Sequence, residues 1–354
     1  MYAETEPGGA AERTAFRRAE KQYKLYKPPS RKGRSKSRGK QAGGGGFGGG
    51  GDLSAVVDFH ALLAAGEGEL PAGIRRCDRA GFHLPVFCFL DRPGFYFIPG
   101  ALSTEEQCYW IRESLKTFPQ PPNRTNLTAT YGPISDLFIA AKNQKILVEV
   151  QSSNGQERIE QNNVGENAHP GKFKFVDGSE IQKEERPKST MAAALVRKLR
   201  WSTLGLQFDW SKRNYDVSLP HNKIPDDLAT LAKKMAVPAM PSGEEFTAEA
   251  AIVNYYGPNW TKPIVSISLG CKCIFLLGGK TRDEAPTPMF LRSGDIVLMA
   301  GEARERFHGV PRIFTEGDQQ DISGLVSELS DDDDRFILDY IHNSRININI
   351  RQVY

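Results

Sequence analysis

Arg345-Ile-Asn-Ile-Asn-Ile-Arg351 alternates without a break. Successive side chains of an extended strand point to opposite faces, so Ile346, Ile348 and Ile350 share one face while Arg345, Asn347, Asn349 and Arg351 share the other. A chain that ends in this strand has to build a sheet with one packed face and one polar face. On an edge strand the polar face is simply solvated. Inside a sandwich or barrel it is costly unless the guanidinium groups meet anions, and a guanidinium fork pairs with a carboxylate through two bonds. The alternation gives the two readings similar weight.

The segments before it are of the same kind. Strand-like runs follow one another from Thr247 over 248–256, 263–269, 271–277, 287–291, 295–300 and 307–313, with turns at Gly270, Gly278-Gly279, Ser293-Gly294 and Gly301. This crowding predicts a sandwich or barrel. Upstream, Val86–Leu90 and Phe95–Ile98 read as short aromatic strands. Ser103-Thr-Glu-Glu106 is a capping box that opens a helix through about Lys116, and a second helix is expected over Pro187–Arg200. The expected class is mostly β with flanking helices (α+β).

Charge divides the chain. The first 40 residues hold twelve Lys and Arg against four Glu, although the whole chain carries only +3. With the Gly run that follows, residues 1–51 read as a disordered basic arm, either a nuclear import signal or nucleic-acid tether or a solvated tail. Residues 52–84 read as a poorly ordered linker and 85–246 as an N-terminal extension with a polar surface insertion at 151–188. Residues 247–354 form the β core, in which 317–334, ending in four Asp, reads as a solvated acidic loop. The longest apolar stretch, Pro263 to Gly279, contains Lys272 and is too interrupted to span a bilayer, so no membrane partner is expected. Five cysteines at unpatterned spacings argue against a secreted disulfide framework and for a reducing compartment. Nucleus, cytoplasm or an organelle would all fit.

Few side chains suggest chemistry. His308 lies in a strand-like segment and could ligate a metal, yet a lone strand histidine is more often structural. Asn254 and Tyr256 share a face and could donate hydrogen bonds into the same cavity as Arg345. Cys271 and Cys273 read as buried small hydrophobes rather than a zinc pair. Trp201 and Trp210, close to Arg200 and Gly205, could stack on unpaired bases or bury against the preceding helix, and pattern does not separate the two.

Taken together, Leu199-Arg-Trp, Leu204-Gly, Glu249-Ala-Ala-Ile-Val-Asn-Tyr-Tyr256, Lys262-Pro-Ile-Val-Ser-Ile-Ser-Leu-Gly270, Ile274-Phe-Leu-Leu-Gly-Gly279, Pro288-Met-Phe-Leu-Arg-Ser-Gly-Asp295, His308-Gly-Val-Pro-Arg312 and Arg345–Arg351 resemble the AlkB family of iron(II)- and 2-oxoglutarate-dependent dioxygenases. The likeness is to the eukaryotic group of its first homologue, in a plant-like version, and covers about Phe82 to Tyr354. It implies a double-stranded β-helix, or jelly roll, with flanking helices and a nucleotide-recognition lid ahead of it. It also implies oxidative removal of N-methyl groups from bases of tRNA, other RNA or DNA, the methyl leaving as formaldehyde, by a protein that acts as a monomer.

By the same resemblance His308 is the distal iron ligand and Arg345 grips the far carboxylate of 2-oxoglutarate. Arg351 and Asn347 support that pocket, Asn254 and Tyr256 hydrogen-bond the cosubstrate, and Trp201 and Trp210 belong to the lid. One departure is severe. The family places His-x-Asp shortly after the Asn-x-Tyr strand, whereas here Tyr256 is followed by Gly257-Pro-Asn259 and the likeness resumes at Trp260. None of the six histidines is followed two residues on by Asp or Glu. The core is therefore expected to lack the His-x-Asp segment, and this chain to be impaired as an oxygenase. The competing expectation is a non-catalytic nucleic-acid-binding protein.

Overall fold

Apolar and hydroxyl side chains alternate from Val265 to Leu269 within the strand Ile264–Gly270, which pairs antiparallel with Arg345–Arg351 in unbroken register, from Ile264 opposite Arg351 to Gly270 opposite Arg345. The computed structural model that shows this describes residues 14–24, 52–66, 68–150, 173–180, 189–209, 214–253, 264–315 and 322–353.

Its strands are β1 (Ile74–Arg76), β2 (Phe87–Phe89), β3 (Phe95–Ile98), β4 (Ile146–Glu149), β5 (Phe173–Val176), β6 (Ser189–Met191), β7 (Ser202–Gly205), β8 (Gln207–Asp209), β9 (Asn214–Asp216), β10 (Ala250–Val253), β11 (Ile264–Gly270), β12 (Cys273–Leu277), β13 (Thr287–Leu291), β14 (Ile296–Met299), β15 (His308–Ile313) and β16 (Arg345–Arg351). The helices are α1 (Ala15–Tyr23), α2 (Phe59–Ala64), α3 (Thr104–Lys116), α4 (Thr128–Tyr131), α5 (Leu137–Lys142), α6 (Ala192–Lys198), α7 (Asp226–Ala236), α8 (Ser323–Glu328) and α9 (Arg335–Ile341).

An eight-stranded sheet, ordered β1-β2-β3-β14-β11-β16-β10-β7, faces a three-stranded sheet, β13-β12-β15. Phe95, Phe97, Val297 and Met299 of the large sheet pack with Cys273, Phe275, Leu277 and Met289 of the small one, filling one end of the space between them. On its other face the large sheet presents Val265, Ile267, Ile346, Ile348 and Ile350 to α3, α7 and α9 through Ile111, Leu228 and Ile337. The period-2 pattern of β11 and β16 thus sorts two environments, a helix-covered apolar core outside and the sandwich interior inside. Gly270 ends β11 at φ +81°, where a Cβ would lie 2.8 Å from the Ser344 carbonyl oxygen, so the turn admits only glycine without strain.

The arrangement is the jelly roll that the family likeness implies, with a gap. Late in the chain β14, β15 and β16 alternate large, small, large. Earlier, β10 and β11 are consecutive and both lie in the large sheet, on either side of β16. Residues 254–263 join them and lie outside the described residues. Among the described residues no small-sheet strand comes between β10 and β11, and β15 has β12 as its one neighbour. The consequence shows in burial, because β12 is buried throughout whereas β15 is half-buried for most of its length.

Several expectations are corrected. Residues 52–84 do not form a poorly ordered linker: Asp58 caps α2, and Phe59 is fully buried, its ring stacked 4.3 Å from that of Phe97. Within 1–51, α1 docks on β15 through Phe16 and Tyr23, so part of the expected disordered arm is folded; residues 25–51 lie outside the described set. In the 151–188 insertion, 173–176 is a strand paired with β4, because alternating Phe173 and Phe175 have an apolar face to cover. The expected helix over Pro187–Arg200 begins as β6 and turns helical only at Ala192. In the acidic stretch 317–334, α8 forms and Asp334 is 3% exposed, held by Arg112 of α3 at 3.1 and 3.2 Å from its Nε. A disulfide joins Cys77 to Cys88, a pair the spacing does not single out, while Cys108, Cys271 and Cys273 are free and buried.

Candidate active site

The polar face of β16 points into the sandwich, and the edge-strand reading is set aside because β16 lies between β11 and β10. Its side chains form a linked row. Arg345 Nη2 donates to Ser268 Oγ at 2.8 Å, and Asn347 Nδ2 donates to Ser266 Oγ at 2.9 Å and to the Ile267 carbonyl at 2.8 Å. Asn349 Nδ2 donates to Asn347 Oδ1 at 2.8 Å, and Arg351 Nη1 donates to the Tyr215 hydroxyl at 3.3 Å. Asn347, Asn349 and Arg351 are buried, so these bonds answer a desolvation cost that would otherwise be several kcal/mol per group. The buried Nε of Arg345 has no acceptor among the described residues, which leaves a donor for an incoming oxyanion.

His308 stands at the start of β15, in the facing sheet, with its ring stacked on Phe275 at 6.0 Å. A carbonyl oxygen can only accept, so the contact of Nδ1 with the Arg306 carbonyl at 3.0 Å fixes the proton on Nδ1 and the lone pair on Nε2. Burial pushes its pKa down to about 4, and the charges of Arg304 and Arg351 push the same way against the Arg306 hydrogen bond. It is therefore a neutral imidazole near pH 7. Arg304, on the turn Gly301–Glu305, belongs to the same cluster; burial first, and then Arg351, lowers its pKa to about 9. Sequence reading missed Arg304, and the only available signal was its position four residues ahead of His308 across a short turn.

The structure thus brings His308, Arg351 and Arg304 together, with Arg345, Asn347 and Asn349 along the same wall. Trp201 is placed elsewhere. It lines a cleft with Leu115, Arg200, Val253, Tyr340 and Ile346, and Val253 and Ile346 belong to the helix-covered face of the large sheet. Asn254, Tyr256 and Trp210 lie outside the described residues.

The 2OG-Fe(II) oxygenase superfamily profile matches residues 160–351. Over the full length of both chains the sequence is 53% identical to the DNA N(6)-methyladenine demethylase ALKBH1A of Arabidopsis thaliana. The chain belongs to the AlkB-like group of this superfamily. Human nucleic acid dioxygenase ALKBH1 is 30% identical over 85% of this chain and 79% of its own, and the tRNA demethylase abh1 of Schizosaccharomyces pombe 29% identical over 76% and 82%. The Arabidopsis alignment runs over 374 positions against the 354 residues here, so that relative has residues with no counterpart in this chain.

AlkB-like proteins imply iron(II) and 2-oxoglutarate. The wall of β16 fits a carboxylate, with the Arg345 guanidinium aimed by Ser268 and its buried Nε lacking an acceptor. The donor set for iron does not fit. Among the described residues no three His, Cys, Asp or Glu side chains form a group able to hold a metal ion. The joining segment 254–263 contains none of those four residue types either. His308 alone offers one nitrogen where a facial triad needs three donors.

Proposed function

We propose that this chain descends from the nucleic-acid N-demethylating oxygenases, has kept their cosubstrate wall, and has lost oxidative turnover or retains it only in severely impaired form. The observation that carries this reading is the donor set: residues 254–263, between β10 and β11, contain no His, Cys, Asp or Glu, and among the described residues no three such side chains form a group able to hold a metal ion. Relatives named as DNA and tRNA demethylases support methylated bases of DNA or RNA as the ancestral substrate class. Within the chain, Arg345 and Ser268 would hold a 2-oxoglutarate carboxylate, Asn347 and Asn349 would stiffen that wall, and Arg351 would raise the positive potential beside it.

The test is an iron(II) titration with succinate measured as the product of 2-oxoglutarate turnover. The expected result is no tight iron binding and no succinate. Inserting a His-x-Asp-bearing strand and turn after Tyr256 is expected to restore both. Tight iron binding with succinate production by the chain as it stands would overturn the proposal, as would a lack of gain from the insertion in a folded variant. A nucleic-acid-binding protein without catalysis remains the second reading, and it predicts polynucleotide affinity that is indifferent to iron.

A further inference from the structure

The outer face of the small sheet carries a chequered arrangement of cations and rings. Ile274 of β12 sits opposite Phe290 on one side and Arg312 on the other. The next row holds Arg292, Lys272 and Phe314, with the Phe314 amide bonded to the Lys272 carbonyl at 2.9 Å. Lys272 Nζ lies 5.1 Å from the Phe290 ring centre and 5.0 Å from that of Phe314. Arg292 lies 5.6 Å from the Phe290 ring and Arg312 4.4 Å from the Phe314 ring. Each ring therefore meets two cations.

Helix α1 covers part of this face, where Phe16 approaches Gly278 and Gly309, and Phe290 and Phe314 pack at the border of the same apolar cluster. All five side chains are half-buried, so their stems are fixed by packing while part of each remains accessible. Asp58 pairs with Arg292 at 2.7 Å. The buried Nε of Arg312 has no acceptor among the described residues. Fixed cations next to aromatic faces are what single-stranded nucleic acids require: the cations hold phosphates, and any base can stack on a ring whatever its identity.

We propose that Lys272, Arg312, Phe290 and Phe314 form a docking surface for single-stranded nucleic acid, on the outside of the sandwich and separate from the interior lined by Arg345 and His308. This rests on the nucleic-acid reading of the protein's class but does not depend on catalysis. An acidic peptide would use the cations and ignore the rings.

The experiment follows a fluorescently labelled single-stranded oligonucleotide by anisotropy across a salt series, using the full chain. Lys272→Glu with Arg312→Glu is expected to weaken binding at least about tenfold and to reduce the salt slope by roughly 1.4, two phosphate contacts at about 0.7 each. Phe314→Leu is expected to weaken binding about fivefold with the slope unchanged. The charge-conserving pair Lys272→Arg with Arg312→Lys keeps both cations on the outer face and is expected to bind within about twofold of the unaltered chain, a result that a misfolded chain would not show. Wild-type affinity in the charge-reversed pair would overturn the surface alone. Polyglutamate competing as well as the oligonucleotide at equal charge would overturn it in favour of an acidic partner. No binding by the unaltered chain would overturn both the surface and the nucleic-acid reading.

Discussion

Arg345 on β16 donates to the hydroxyl of Ser268 on the adjacent β11 at 2.8 Å, a bond between two strands that fixes where the guanidinium points. A charge-assisted bond of this kind contributes about 1.5–3 kcal/mol. Arg345→Ala is therefore expected to weaken 2-oxoglutarate binding about 30-fold, and Ser268→Ala, which removes only the aim, about fivefold. Calorimetric titration in iron-free buffer checks both. Equal affinities in the two variants and the unaltered chain would show that the wall does not hold the cosubstrate.

Two neighbouring aspartates should behave differently. Asp334 is buried and accepts from Arg112 Nε and Nη2, whereas Asp333 is 79% exposed and pairs with Lys142. Removing one partner of a buried pair strands the other, while exposed pairs contribute little. Asp334→Ala is expected to cost about 2–3 kcal/mol in denaturant unfolding and Asp333→Ala less than about 0.5 kcal/mol. Similar costs would contradict the burial difference.

The pH dependence of stability should carry a signature of Asp58. Burial pushes its carboxyl up, but hydrogen bonds from Arg292 and the Ala61 amide, with the charges of Arg292 and His60, hold it below the usual value. The unfolded chain then binds more protons as pH falls through the ordinary carboxylate range near 4, so this contribution is present above that range and is lost below it. Asp58→Asn keeps an oxygen that can cap α2 but loses the charged pair with Arg292, so it is expected to destabilise the protein by about 1 kcal/mol at pH 7, and the difference should shrink towards pH 3. A difference that stays constant with pH would refute the linkage.

Among the described residues β15 has one strand neighbour, and an open sheet edge exchanges its outward amides readily. Hydrogen exchange should therefore be much faster over His308–Ile313 than over Cys273–Leu277. The same inserted strand that restores the iron ligands should slow exchange in β15. Equal protection of β12 and β15 in the chain as it stands would mean that the edge is covered.

What could be read locally was read well. The capping box of Ser103 and Glu106 involves groups three residues apart, and both of its bonds form. The alternation of β16 needs only one strand's own geometry. The sites that escaped prediction join distant residues: Asp334 to Arg112, Phe59 to Phe97, Arg304 to Arg351. The placement of 52–84 escaped for the same reason, since Phe59 fills the sandwich only by stacking on Phe97 of a later strand.

From sequence alone it was settled that β16 has an apolar and a polar face, that the family motifs run in order, and that no histidine is followed two residues later by a carboxylate. Those are properties of neighbours along the chain. Only the tertiary structure decided that the polar face turns inward, that His308 faces it from the other sheet as a neutral imidazole, and that β10 and β11 flank β16. Side-chain direction is set residue by residue, whereas burial and protonation depend on what the rest of the chain packs around each group.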